Sequence, residues 1–297
     1  MRRFVRLPVR ISLLIVIGLS LPAAWLQALA AQGGEEPLSA QGPQVVVRAE
    51  YIEGGSTARP LAAPASSGDP GIQGSLAEGP QATFDVIYAT PWDPQAQRAL
   101  LYALNLWARE ISSPVPIVIE ASWEPLEWGV LGASGPLLVS NFEGRPLANI
   151  GYPSALANKI VGKDVAERRP DIFMTFSSTF NWYYGTDGKV TDPTRQYDLV
   201  TVILHELGHG LGFIGAMKYS GGYGYVGNYS FPFPLVYDRF VKNGQGVPIL
   251  SYPNASPDLG AQLTGNNLFF TGPRLTSLTG LDGAKLYAPY QWREGSS

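Results

Sequence analysis

Apolar and polar positions first follow a regular pattern near residue 83. In "TFDVIY", residues 83–88, Phe84, Val86 and Tyr88 share one face of an extended chain, and the run is rich in β-favouring residues. The pattern predicts a strand. Further strands are predicted in "IVIEASW" (117–123), "PLLVS" (136–140) and "DIFMTFSST" (171–179).

A helix is predicted between the first two strands. Asp93 is a typical N-cap residue, and Pro94 suits the first helical position, where its missing N–H costs no hydrogen bond. Apolar residues then recur at three- and four-residue spacing and form one face: Ala96, Ala99, Leu100, Ala103 and Trp107. The order strand, helix, strand predicts a parallel pair with a crossover helix.

The stretch "LVTVILHELGHGLGF", residues 199–213, predicts a second helix that Asp198 can cap. Its glycines are unusual, because each glycine inside a helix costs about 1 kcal/mol relative to alanine. The three glycines are Gly208, Gly210 and Gly212. They predict that another part of the chain approaches the helix backbone closely on one side. Gly212 is predicted to adopt the left-handed conformation that ends the helix.

The N-terminal segment has the features of a secretory signal peptide. Four arginines precede an apolar run at 11–21 that is too short to span a bilayer, and the Ala-Leu-Ala triplet at 28–30 gives a cleavage pattern. Residues 1–30 are expected to be removed on export, leaving a secreted protein with no stable membrane association; an uncleaved anchor is the alternative. Residues 31–82 are rich in Gly, Ala, Ser and Pro and predict a low-complexity linker or a pro-segment, with one strand candidate at 45–52.

Composition excludes several classes of function. A formal charge of −3 with 15% charged residues gives no basic surface for nucleic acid. The chain has no cysteine, so it has neither disulfides nor a thiolate metal site. It has only two histidines.

Both histidines stand in the second predicted helix, with a glutamate beside the first. His205 and His209 are rotated by about 40° and displaced by about 6 Å on an α-helix, so both imidazoles can reach one ion. Zinc binds neutral imidazole nitrogens, usually with three protein ligands in a catalytic site. Glu206 is placed to take a proton from water and pass it to a leaving amine. The sequence predicts a Zn²⁺ site with His205 and His209 as ligands and Glu206 as general base.

The run "HELGHGLGF" resembles the zinc metallopeptidases called zincins and, with Gly212 after the second histidine, the metzincin group that includes the matrixins. "DIFMTF" (171–176) is similar to the matrixin strand that lies at the sheet edge and pairs with substrate. "YDRF" and "LYAPYQWREGSS" continue a series similar to secreted bacterial metallopeptidase-like proteins. The resemblance implies a metzincin-like catalytic domain of α/β (α+β) class over residues 83–297. It would have a twisted mixed sheet with an edge strand for substrate, a backing helix and an active-site helix.

Two departures from the metzincin pattern leave the third zinc ligand open. The slot for a third histidine holds Gly215, and no methionine follows Met217 to form the expected methionine turn. Asp238 is one candidate ligand, as in the aspzincins. The other interpretation is a domain truncated at its C-terminus, with the histidine expected just beyond Ser297 and Asp238 in a structural role.

These features together predict a secreted zinc-dependent endopeptidase, which hydrolyses peptide bonds with metal-activated water and a glutamate general base. Its partner is then a protein or peptide substrate. The alternative, from another class, is a catalytically silent metallopeptidase-like module that binds a protein or glycan surface.

Overall fold

The computed structural model describes residues 81–228, 230–272, 274–275 and 283–291, together with the backbone of residues 39–41 and 45–48. The predicted signal peptide, residues 1–30, lies outside the described residues, as does most of the predicted linker. The part that the structure describes is a mixed α/β fold with four helices and several sheets. The coarse fold class is therefore confirmed.

The main sheet is built around three parallel strands, β3 (Phe84–Tyr88), β4 (Ile117–Glu124) and β7 (Ile172–Ser177). A longer strand, β5 (Val130–Val139), pairs antiparallel with β7. Three short strands pair antiparallel with β5: β1 (Ser39–Gln41), β2 (Val45–Arg48) and β6 (Tyr152–Pro153). The predicted parallel pair is confirmed, and strand β2 forms within the candidate at 45–52.

Helix α1 (Pro94–Glu110) connects β3 to β4. It begins where predicted, because Asp93 Oδ1 accepts hydrogen bonds from the N–H groups of Gln95 (2.6 Å) and Ala96 (3.3 Å). Helix α3 (Leu199–Gly210) packs beside it, and Trp107 Nε1 donates to Leu204 O at 3.2 Å. The two helices and the sheet share one buried core that includes Leu100, Ala103, Ile119, Phe176, Ile203 and Leu207.

The remaining elements are short. Helix α2 (Ser154–Val161) follows β6, and helix α4 (Pro257–Leu263) lies in the C-terminal part. Single-turn 3₁₀ helices span Val236–Phe240 and Ile249–Ser251. Three small sheets are also present among the described residues. The first is the parallel pair β8 (Trp182–Tyr183) and β9 (Tyr197–Asp198), and the second is the hairpin β10 (Met217–Ser220) and β11 (Tyr223–Val226). The third is antiparallel and contains β12 (Val241–Asn243), β13 (Leu268–Phe270) and β14 (Ala284–Lys285). None of the described helices is long and apolar enough to cross a bilayer.

Strand β7 is not an edge strand, so the prediction that residues 171–179 border a substrate cleft is wrong. It hydrogen-bonds to β4 on one side and to β5 on the other. Its side chains Ile172, Met174 and Phe176 are buried. An alternating pattern shows which residues face a core but not which strands lie on either side, and here β5 separates β7 from the short strands β1 and β2 at that side of the sheet.

A buried carboxylate fixes the inner position of β7. Asp171 Oδ1 accepts hydrogen bonds from Ser154 Oγ (2.6 Å) and Asn158 Nδ2 (3.0 Å), while Oδ2 accepts from the N–H of Val118 (3.0 Å). Burial raises the pKa of this carboxyl, and the hydrogen bonds oppose the rise. The group ties β4 and helix α2 to the start of β7.

Candidate functional site

Helix α3 brings the two histidines together as predicted. His205 Nε2 and His209 Nε2 are 2.9 Å apart, and the ring planes are nearly perpendicular, at 85°. A tetrahedral zinc ion with bonds of 2.0–2.1 Å separates two ligand atoms by about 3.3 Å. A small rotation of either ring about its side-chain bonds therefore fits both nitrogens to one ion.

The end of the helix orients His209. The N–H of Phe213 donates to Gly208 O (2.9 Å) and the N–H of Gly212 donates to His209 O (3.0 Å), which is the bond pattern of a Schellman motif. Gly212 has a positive φ of 117°, so the predicted left-handed helix end is confirmed. The turn places Phe213 O 2.8 Å from His209 Nδ1. Because a carbonyl only accepts, Nδ1 carries the proton and Nε2 keeps a lone pair.

Both imidazoles are held neutral. Burial, with a smaller contribution from His209, lowers the pKa of His205 to about 3. Burial also lowers the pKa of His209, against the opposing hydrogen bond to Phe213. A divalent metal ion requires the neutral form of imidazole, so the pair is in the state that binds metal.

Glu206 is fully buried, and neither of its carboxylate oxygens has a hydrogen-bond partner among the described residues. Burial raises the pKa of this carboxyl well above its usual value. An unpaired buried carboxylate is costly, and a nearby cation or water would reduce that cost. Burial therefore favours the protonated carboxyl, and a cation bound nearby would favour the carboxylate that can accept a proton.

A third metal ligand is not found in the described part of the chain, where no group of three or more His, Cys, Asp and Glu side chains could hold a metal ion. Asp238 is buried, and its carboxylate accepts hydrogen bonds from the N–H groups of Ala216 (3.1 and 3.2 Å) and Leu235 (2.7 Å). The described residues form no metal-binding group that includes Asp238, so the alternative in which it is the third zinc ligand is wrong, and its hydrogen bonds give it the structural role of the other interpretation. A Cβ at Gly215 would lie 2.8 Å from Asp238 Oδ1, so packing excludes a histidine in that slot.

Sequence reasoning did not identify two groups that contact helix α3 or its C-terminal turn. Phe213 acts through its carbonyl, which no side-chain pattern can show. Ser134 on β5 is buried without a hydrogen-bond partner for its hydroxyl, and this oxygen lies 3.1 Å from where a Cβ at Gly210 would stand. Strand β5 therefore lies against helix α3 at Gly210.

A family model described as SPBPB7E8-like matches residues 151–271, which is fewer than half of the 297 residues of the chain. This stretch contains helix α3 with both histidines and Glu206. No curated protein and no solved structure matches the chain.

The resemblance to the zincins and to their metzincin and matrixin members is therefore corrected. The family model that matches is not one of a metallopeptidase, and the described residues contain no complete metal-binding group of that type. The resemblance depended on a short helical motif, and two histidines with an intervening glutamate fix the geometry of one helix turn only. They do not determine the surrounding fold or the third ligand.

Proposed function

We propose that this chain is an exported, zinc-dependent hydrolase of peptide bonds, with His205 and His209 as metal ligands and Glu206 as general base. One observation carries the proposal: two neutral imidazoles direct their Nε2 atoms at each other, 2.9 Å apart, on the helix turn that also carries Glu206, a fully buried side chain whose carboxyl oxygens have no partner among the described residues. Purely structural buried polar groups are normally hydrogen-bonded to protein or water.

Each residue has a defined task in this proposal. His205 and His209 hold the ion through Nε2, and Phe213 O fixes the tautomer of His209. A bound zinc ion supplies positive charge that polarises a carbonyl group and acidifies water. Glu206 accepts the proton of the attacking water and donates it to the amine nitrogen that leaves. Helix α1 packs beside α3, and Trp107 Nε1 on α1 donates a hydrogen bond to Leu204 O on α3.

A second candidate is a catalytically silent module that binds a protein or glycan surface. The absence of a third zinc ligand from the described part of the chain favours this candidate, because a catalytic zinc site normally has three protein ligands. In that case the histidines bond to each other, and Nε2 of one donates to Nε2 of the other.

Metal affinity and hydrolysis separate the two candidates. The chain lacking residues 1–30 is titrated with zinc against a chelating dye, and hydrolysis of an unstructured protein substrate is followed in parallel. The parent should bind one zinc per chain, and His205→Ala and His209→Ala should each weaken binding by about 10-fold or more. Glu167→Gln, an exposed substitution away from the helix, is the control.

Saturable zinc binding at one site together with hydrolysis supports the enzyme. If zinc binding is equally weak in the parent and in both histidine variants, and no substrate is cut, the enzyme proposal fails and the binding module stands.

A further inference from the structure

The indole of Trp107 lies against the turn of helix α3 that carries both histidines. Its Nε1–H donates to Leu204 O at 3.2 Å, and its Cζ2 lies 3.9 Å from where a Cβ at Gly208 would stand. Leu204 directly precedes His205 in the chain, and Gly208 directly precedes His209. One side chain of helix α1 therefore contacts the residue before each histidine.

The hydrogen bond acts on the peptide group to which His205 is attached. Leu204 O and the N–H of His205 belong to one planar peptide unit. Inside an α-helix this oxygen also accepts the N–H of the residue four positions on, which is Gly208. The indole N–H is a second donor to the same oxygen, whose two lone pairs can accept both. The bond therefore connects helix α1 to helix α3 at the backbone of a proposed metal ligand.

The ring of His205 depends on its backbone more than the ring of His209 does. The His209 ring is oriented by the contact of its Nδ1 with Phe213 O, at 2.8 Å. Among the described residues, the His205 ring has a hydrogen bond with His209 Nε2 alone. No third residue in this part of the chain orients the His205 ring by a hydrogen bond, so the position of the ring follows that of the helix backbone.

We propose that Trp107 is a positioning residue for His205: its hydrogen bond to Leu204 O holds the backbone from which the imidazole reaches a metal ion. This rests on the proposed function in that His205 is a metal ligand. Each histidine then has its own support, Trp107 for His205 and the carbonyl of Phe213 for His209. Loss of a group that orients a metal ligand typically weakens metal binding by about 10- to 100-fold.

Trp107→Phe tests the proposal in the chain lacking residues 1–30, because it keeps an aromatic ring and removes the indole N–H. Trp92→Phe is the matched control. Trp92 Nε1 also donates to a main-chain carbonyl at 3.2 Å, but this carbonyl belongs to Ala121 on strand β4. Trp92 is more deeply buried than Trp107, so a general loss of stability should affect the control at least as much.

The first measurement is made without metal, on protein that carries no histidine tag. The chain has only two histidines, so its imidazole signals in a nuclear magnetic resonance spectrum form two sets. In Trp107→Phe the His205 signals should shift or broaden, and more so than the His209 signals, because Phe213 O still holds the second ring. Trp92→Phe should leave both sets at their parent positions.

The second measurement uses zinc. The zinc affinity of Trp107→Phe should be lower than that of the parent by about 10-fold or more, while Trp92→Phe should bind like the parent. In the parent, zinc should shift the Trp107 indole N–H signal and leave that of Trp92 unchanged, because coupling between two sites is reciprocal. This comparison needs no substitution, so it applies even if Trp107→Phe does not fold.

Several results would overturn the proposal. His205 signals that keep their parent positions in Trp107→Phe would do so, as would equal changes in Trp92→Phe. An unchanged zinc affinity in Trp107→Phe, or a zinc-dependent shift of the Trp92 indole as large as that of Trp107, would also count against it. If the parent binds no zinc, the proposed function fails, while the metal-free spectra still show whether Trp107 positions His205.

Discussion

Helix α3 approaches the sheet most closely at Gly210, and Gly210→Ala measures how tight this contact is. The added Cβ would lie 2.4 Å from Ile172 Cγ2 and 3.1 Å from both Ile172 Cδ1 and Ser134 Oγ. The first contact is far inside the normal range, and Ile172 is a fully buried, β-branched residue on an inner strand, so it cannot move away cheaply.

Gly208→Ala is the matched control on the same helix. Its Cβ would meet only Trp107 Cζ2, at 3.9 Å, which is an ordinary van der Waals contact. Both substitutions gain helix propensity, up to about 1 kcal/mol each. Gly208→Ala should therefore be neutral or stabilising.

The difference between the two variants isolates the packing effect. Overpacking of a core costs about 1–3 kcal/mol, and the 2.4 Å contact places Gly210→Ala toward the upper end. Urea unfolding should show Gly210→Ala less stable than Gly208→Ala by about 2–3 kcal/mol with equal m-values. If Gly210→Ala is as stable as Gly208→Ala, the helix does not lie against Ile172 as described.

Three further predictions concern other buried groups. Asp171→Asn should destabilise the fold by about 2–3 kcal/mol in the same assay, because it places an amide donor against three hydrogen-bond donors, while the exposed Asp85→Asn should be neutral. Burial raises the pKa of Asp238 to about 7, so the folded state holds a proton that the unfolded state loses near pH 4. The protonated Asp238 carboxyl should stabilise the fold fully below about pH 4, and this stabilisation should be lost as pH rises through about 7. In Asp238→Asn the free energy of unfolding should fall less over that pH range. Gly212→Ala should cost about 1–3 kcal/mol, since φ is 117° there, and it should weaken zinc binding by displacing Phe213 O; unchanged zinc affinity would show that the turn does not position His209.

The elements that could be predicted from the sequence are those set by local chemistry. Asp93 and Pro94 determine where helix α1 starts, and Gly212 determines how helix α3 ends, because each acts on backbone groups within a few residues. The helix also brought His205 and His209 together, since their spacing alone puts both on one face.

The elements that were missed depend on contacts between distant parts of the chain. Strand β5 is twice as long as the predicted run at 136–140, because Gly132 and Gly135 weaken its local strand pattern while pairing on both edges stabilises it. The position of β7 inside the sheet depends on Asp171, whose partners are 13 to 53 residues away. The hydrogen bonds that Asp238 accepts from Ala216 and Leu235 could not be predicted from its spacing to the histidines. The family resemblance also failed because it depended on local sequence spacing.

The most direct test of the proposed chemistry is the rate of peptide hydrolysis by Glu206→Gln at a zinc occupancy equal to that of the parent. Gln keeps the size of the side chain and cannot accept the proton, so the rate should fall by at least about 10²-fold with zinc affinity unchanged, while Glu167→Gln keeps the parent rate. A Glu206→Gln variant that cuts the substrate as fast as the parent would contradict the assignment of Glu206 as the general base and, with it, the proposed mechanism.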